Sequence, residues 1–220
     1  MHLTGNKPLN SAAKPFPPCT IGLYPIVDHS HWLEKLLPLG VKTIQLRIKD
    51  PALCLETEIK KSIALAKQYN ATLFINDYWE LALALGAEGI HLGQEDLETA
   101  DIDAIYRAHA YLGISTNNPL EVARAQAIRP SYIACGPIFP TNSKVVSSPP
   151  QGLTQLQHWQ RTLPYPLVAI GGITAQNIDD VLATGVKGIA VISAITQAAD
   201  PVAATRELLN KIDINGVSVD

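Results

Sequence analysis

Eight short apolar runs set the rhythm of the chain, each closing on a polar residue or a glycine and leading toward a stretch with helical spacing or a helix cap. The runs are 23–27 (LYPIV), 41–46, 72–75, 89–92, 111–114, 132–135, 167–170 and 188–192. They are continuous rather than alternating, which predicts strands buried on both faces, as in a parallel sheet covered by helices. Between them the spacing predicts helices over 31–39, 52–69, 78–85, 99–109 and 153–161. Ser30 reads as the cap of the first and Gly40 as its stop. Asn118-Pro119-Leu120-Glu121 opens another helix with a cap, a proline at the first helical position and an acid three residues after the cap. Thr174 reads as a cap after the seventh strand, and Asp200-Pro201 starts the last helix. Eight strand–helix units in 220 residues predict a single-domain α/β protein, a (β/α)8 TIM barrel. An open doubly wound sheet is the alternative. It usually carries a glycine-rich turn after its first strand, and here that turn is Asp28-His29-Ser30.

The polar residues that close the runs fall at one end of the expected barrel. Gln45, Arg47 and Lys49 follow the second strand, Asn76 and Asp77 the third, Gln94 and Asp96 the fourth, and Ser115 the fifth. Thr141, Asn142, Ser143 and Lys144 lie in the loop 136–150 after the sixth strand; Gly171 and Gly172 follow the seventh and Ser193 the eighth. These are C-terminal strand ends, where barrel enzymes place their active sites. On neighbouring parallel strands the carboxylates of Asp77 and Asp96 leave the sheet about 5 Å apart. Either aspartate alone reads as a helix cap. Together they suit Mg²⁺, which keeps several waters and takes the rest of its shell from substrate phosphates. His91 has no second histidine or cysteine beside it to make a zinc site, and it reads as a core histidine at a strand end.

Arg47 and Lys49 read either as solvated charges or as anion ligands. Arg47 leaves an apolar strand directly, where a charge is costly unless it meets a partner. A diphosphate is such a partner, gripped bidentately by arginine and held by lysine as a point charge. Thr141 to Lys144 form a hydroxyl- and amide-rich turn suited to phosphate oxygens. The Gly171-Gly172 turn and Ser193 sit where barrels bind a monophosphate, though tight turn geometry alone also explains the glycines. No nucleophile–base pair stands out. The pattern favours group transfer with diphosphate as leaving group, catalysed by positioning and electrostatics.

Composition narrows this only a little. A charged fraction of 17% and a hydrophobic fraction of 47% describe a compact chain, and a net charge of −3 argues against a general nucleic-acid binder. No run approaches the about 20 apolar residues of a membrane span. Cys19, Cys54 and Cys135 have no metal-ligand spacing and fit a reducing, cytoplasmic setting; Cys135 lacks an obvious base to make it a nucleophile. The organisation expected is a flexible N-terminal arm over 1–20, a barrel catalytic domain over 21–212 and a frayed tail over 213–220.

At these same positions the sequence resembles the thiamine-phosphate synthase family. The motifs are QLRIKD from Gln45, FINDYWELAL from Phe74, GIHLGQED from Gly89, GIS from Gly113, GPIFPTNSK from Gly136, VAIGGI from Val168 and AVISAI from Ala190, seven in order across nearly the whole chain. The resemblance implies a (β/α)8 enzyme that joins 4-amino-2-methyl-5-(diphosphooxymethyl)pyrimidine to a thiazole phosphate, or its carboxylated form, giving thiamine phosphate and diphosphate. It implies that Gln45, Leu46, Arg47, Ile48, Lys49, Asn76, Ser115 and Lys144 hold the pyrimidine diphosphate, with Arg47, Lys49, Lys144 and Ser115 acting in catalysis. It implies one Mg²⁺ per subunit on Asp77 and Asp96, and a thiazole phosphate on Thr141, Asn142, Ser143, Gly172, Ile192 and Ser193. The implied reaction is dissociative: diphosphate leaves, the aminopyrimidine stabilises a methylene cation, and the thiazole nitrogen attacks it.

Two positions depart from the family pattern. The usual TxTK loop is Thr141-Asn142-Ser143-Lys144 here, with serine keeping the hydroxyl. A histidine common two residues after Ser115 is Asn117, to which no role is given. Two rivals remain: a thiazole tautomerase on the same barrel, which has little need of the metal and diphosphate residues, and a non-catalytic phosphate-binding regulator. The expected partners are the two small-molecule substrates, with no nucleic acid and no membrane; a homo-oligomer is left open.

Overall fold

In the computed structural model, which describes residues 12–16, 21–50, 52–141 and 149–215, each apolar run becomes a strand. The strands are β1 (Gly22–Val27), β2 (Thr43–Leu46), β3 (Thr72–Asn76), β4 (Gly89–Leu92), β5 (Tyr111–Thr116), β6 (Tyr132–Cys135), β7 (Leu167–Ile170) and β8 (Gly188–Val191). Each pairs in parallel with the next, and β1 pairs with β8, with Tyr24 level with Ala190. That last pairing closes the barrel and removes the open-sheet alternative.

The helices are α1 (His31–Leu36), α2 (Leu55–Gln68), α3 (Trp79–Ala84), α4 (Ile102–Arg107), α5 (Pro119–Ile128), α6 (Gly152–Thr162), α7 (Ile178–Leu182), α8 (Ser193–Thr196) and α9 (Pro201–Ile214). Where the caps are strong, the sequence reading holds. Asn118 Oδ1 accepts from the Glu121 N–H at 3.0 Å, and Asp200 Oδ1 accepts from Val202 and Ala203 at 3.0 Å each. Elsewhere the structure corrects it. Ser30 makes no side-chain cap; its N–H donates instead to Glu58 on α2 at 2.7 Å. The first helix tightens to a 3₁₀ turn at Leu37–Leu39, around Pro38, before Gly40 at φ +102. The fourth helix begins late, after Asp101, which takes the Ala104 N–H at 2.9 Å. Thr174 does not cap α7: its own N–H is taken by Asn177 at 2.8 Å, and the helix starts at Ile178.

Two apolar layers result. One lies between strands and helices and holds Leu33, Ile44, Leu46, Ile59, Ile90 and their neighbours. The other fills the barrel itself with Tyr24, Ile26, Phe74, Tyr111, Tyr132 and Val168. Glycines make this interior fit: a Cβ at Gly89 would come within 2.6 Å of the Phe74 ring, and one at Gly113 within 2.1 Å of the Tyr132 ring. The barrel floor is closed from outside. Phe16 is buried with its ring 5.0 Å from Tyr111 and 5.9 Å from Phe74, and Ala13 N–H donates to Arg129 O at 3.1 Å. The described part of the N-terminal segment is thus packed, although the sequence reads it as a loose arm. With aromatic side chains filling the lower barrel, room for ligands remains at the C-terminal mouth.

Candidate active site

A cavity of ≈ 510 Å³ opens at that mouth. Strand alternation decides what reaches it. Along and just beyond β2, Gln45, Arg47 and Lys49 point into the cavity, while Leu46 and Ile48, 1% and 3% exposed, point into the layer beneath the helices. The structure therefore brings together the polar members of this motif and not the two apolar ones, whose side chains pack as core. Asn76 at the end of β3 is buried against the cavity wall, next to Asp77.

Asp77 sits at φ +67, a left-handed conformation that is costly for a residue with a Cβ, and its N–H donates to His91 O at 3.0 Å. Lys49 donates to its carboxylate at 2.7 Å. Asp96, on the 3₁₀ turn Asp96–Glu98 after β4, accepts from the Gly93 N–H at 2.9 Å. Burial pushes its carboxyl above the usual aspartate range; the Gly93 bond opposes this and the neighbouring Asp77 adds to it. Asp77 beside Asp96, with Lys49 drawn in next to them, makes a site short of positive charge. A hard divalent cation fits that donor set, and among the described residues no group of three or more His, Cys, Asp and Glu offers a competing cage.

The opposite side of the mouth is built from backbone. A second cavity of ≈ 80 Å³ is lined by Thr141, Gly171, Gly172, Ile192 and Ser193 among others. Ile138 N–H donates to Ile170 O at 2.9 Å and Phe139 N–H to Gly171 O at 3.0 Å, so the start of the loop after β6 runs along the end of β7. A Cβ on Gly172, at φ +66, would meet Pro140 O at 2.5 Å; only glycine allows this approach. Ser193 opens the one-turn helix α8, which the sequence does not announce. Asn142, Ser143 and Lys144 lie outside the described residues.

The two cavities share Ser115, Asn117, Ile170, Ala190 and Ile192. Ser115 belongs to β5, one residue inside its end rather than after it. Asn117, given no role from sequence, stands at this seam: its N–H and Nδ2 donate to Glu121 Oε2 at 2.7 and 2.9 Å, and its carbonyl accepts from Gln151. His91 is also more than a core residue. It lines the larger cavity with one ring nitrogen 2.7 Å from Ser115 Oγ and the other 2.7 Å from Tyr132 OH. His91 gains its place where β4, β5 and β6 meet, and Asn117 from Glu121 on α5 and Gln151 just before α6, none of which spacing along one strand reveals. Gln94 Nε2 donates to Ser115 O at 2.8 Å, and its buried Oε1 meets no partner among the described residues, leaving an acceptor at the cavity wall. Cys135 is fully buried beneath the helices with its thiol pushed up to about 12 by burial, which leaves no thiolate for catalysis.

A closed barrel with paired carboxylates, two cationic side chains and a glycine turn converging on one mouth defines a (β/α)8 enzyme for anionic small molecules. Comparison with known proteins narrows the class. Residues 23–195 match the family model described as thiamine monophosphate synthase. Thiamine-phosphate synthase of Salmonella schwarzengrund (strain CVM19633) is 55% identical over 205 residues, covering 92% of this chain and 96% of the relative. The enzyme of the same name from Klebsiella pneumoniae subsp. pneumoniae is 56% identical over 198 residues, covering 88% and 94%. Among solved structures, thiamine phosphate pyrophosphorylase from Pyrococcus furiosus superposes with a TM-score of 0.76 at 32% identity, covering 89% of this chain and 96% of that one. A 3-hexulose-6-phosphate synthase from Salmonella typhimurium, at 17% identity and a TM-score of 0.67, shares the fold. The chain belongs to the thiamine monophosphate synthase family.

Proposed function

We propose that this protein is a thiamine-phosphate synthase: a transferase that moves the pyrimidinylmethyl group of 4-amino-2-methyl-5-(diphosphooxymethyl)pyrimidine onto the nitrogen of a thiazole phosphate, or of its carboxylated form, releasing diphosphate. The observation that carries the reading is the pair of joined cavities, one lined by side-chain charges and the other by glycine backbone, with Ser115 between them. The larger takes the pyrimidine diphosphate: Arg47 and Lys49 hold the diphosphate, joined by Lys144, while Gln45 and Asn76 hold the ring. Asp77 and Asp96 would hold Mg²⁺, which would supply positive charge to the leaving diphosphate. Lys49, 2.7 Å from Asp77 and lining the same cavity, lies within reach of the phosphate oxygens. The smaller cavity takes the thiazole phosphate, on Thr141, Asn142, Ser143, Gly172, Ser193 and the Ile192 backbone. Leu46 and Ile48 support the site from behind through the backbone they share with Arg47.

No residue is asked to act as a strong base, which agrees with bond cleavage assisted by charge and followed by attack of a neutral ring nitrogen. Ile170, Ala190 and Ile192 form the apolar wall between the two substrates and limit water at the reacting carbon. No helix of the described residues is long and apolar enough to cross a membrane, and we place the reaction in the cytoplasm with small-molecule partners. The test is to mix purified protein, both substrates and Mg²⁺ and measure diphosphate and thiamine phosphate together. Equal amounts of both products are expected. Binding of both substrates with no product would favour a regulatory barrel.

A further inference from the structure

Beneath the larger cavity an unbroken chain of hydrogen bonds crosses the barrel interior. Gln45 Nε2 donates to Tyr24 OH at 3.0 Å; Tyr24 OH lies 2.8 Å from Tyr132 OH; Tyr132 OH lies 2.7 Å from His91 Nδ1; His91 Nε2 lies 2.7 Å from Ser115 Oγ. The first four residues come from four strands and are 2%, 1%, 0% and 5% exposed, so the chain is nearly all buried, although Gln45, Tyr24 and His91 also form part of the cavity wall. Its place is cut into the barrel by Gly113. In register Gly113 lies between His91 and Tyr132, and its missing Cβ is what lets the Tyr132 ring cross to meet the imidazole.

The sense of the chain follows from its first member. An amide nitrogen donates and does not accept, so the Tyr24 oxygen receives the Gln45 hydrogen, and among the described residues the acceptor left for its own hydrogen is Tyr132 OH. Tyr132 then turns its hydrogen to Nδ1 of His91. With Nδ1 accepting, the neutral ring carries its hydrogen on Nε2 and donates to Ser115. Ser115, having accepted, points its own hydroxyl hydrogen away from His91 toward the seam of the two cavities. Burial pushes the hydroxyls of both tyrosines well above their ordinary value, so both stay protonated and able to donate.

We propose that Tyr132, oriented by Tyr24 and Gln45, is a positioning residue: it fixes His91 as the Nε2–H tautomer and thereby makes Ser115 a hydrogen-bond donor to the substrate diphosphate. No proton is transferred along the chain. The opposite tautomer would have Ser115 donate to His91 and turn lone pairs toward the anion, replacing a charge-assisted hydrogen bond with repulsion. The effect on turnover rests on the synthase reading; the tautomer does not.

Two measurements test it. Long-range ¹H–¹⁵N correlation on ¹⁵N-histidine-labelled protein reads the His91 ring, identified among the 6 histidines by its loss in His91→Gln. The Nε2–H signature is expected in the wild type and a tautomer mixture in Tyr132→Phe, with a smaller shift in Tyr24→Phe, which keeps the Tyr132 hydroxyl. In turnover, Tyr132→Phe is expected to lower kcat about 10- to 100-fold, the range for loss of one hydrogen bond to a charged group, with KM for the thiazole phosphate unchanged. An Nδ1–H ring in the wild type overturns the proposal, whether or not the variants fold. So does a Tyr132→Phe protein with wild-type kcat or an unchanged ring signature. An Nε2–H ring in a protein that releases no diphosphate would instead leave the tautomer assignment standing and remove the synthase reading.

Discussion

The two halves of the mouth are built by different means. The larger cavity uses side chains: Arg47 and Lys49 bring positive charge, and Asp77 and Asp96 bring a place for more. The smaller uses backbone shape: Gly171 and Gly172 at φ +102 and +66, pressed against the strand-like start of the loop after β6, with Ser193 opposite. A charge can be deleted without moving the chain, whereas a turn cannot be altered without moving it. The two halves should therefore fail differently, the first losing function with the fold intact and the second losing both together.

The largest effect is expected on the charged side. Asp77→Ala or Asp96→Ala should abolish Mg²⁺-dependent synthesis, a loss of more than about 100-fold, because several kcal/mol of charge stabilisation on the leaving group goes with the metal. Thermal unfolding should show the fold retained. Full activity in magnesium would remove the metal assignment. Next comes Gly172→Ala. Its Cβ meets Pro140 O at 2.5 Å and Phe139 Cβ at 2.8 Å from a left-handed backbone, so it should cost about 1–3 kcal/mol of stability and lower thiazole phosphate affinity together. A variant with normal stability and affinity would show that the turn does not need its glycine. Smaller again, Arg47→Ala and Lys144→Ala should weaken pyrimidine diphosphate binding about tenfold or more while sparing the thiazole phosphate. The smallest effect belongs to Ile48→Val, which trims a side chain buried away from the cavity. It should cost about 0.5–1.5 kcal/mol in denaturant titration and leave both affinities unchanged. A change in affinity there would mean that the side chain reaches the site.

The same division explains what could be read before the structure. Eight continuous apolar runs, with the caps at Asn118 and Asp200, announce the barrel, because burial on both faces leaves so plain a mark. The charged half is legible too, since Arg47, Asp77 and Asp96 end apolar runs where a charge needs a reason. Local signals fail where tertiary contacts take over. Thr174 looks like a cap, but its Oγ1 takes the Gln176 N–H and the helix starts only at Ile178, while the Ser30 hydroxyl takes no helix N–H and only its backbone N–H is held, by Glu58. His91 looks inert along its own strand and gains meaning only where β4, β5 and β6 meet, and Asn117, just past β5, only through Glu121 and Gln151. Phe16 lies in a proline-rich stretch with no periodicity, and nothing local predicts that it closes the barrel floor.

The central claim is the division of the mouth into a diphosphate half and a monophosphate half, and isothermal titration of each ligand separately into wild-type and Arg47→Ala protein tests it most directly. The account predicts a clear loss for the pyrimidine diphosphate and wild-type affinity for the thiazole phosphate. Equal losses for both would contradict it.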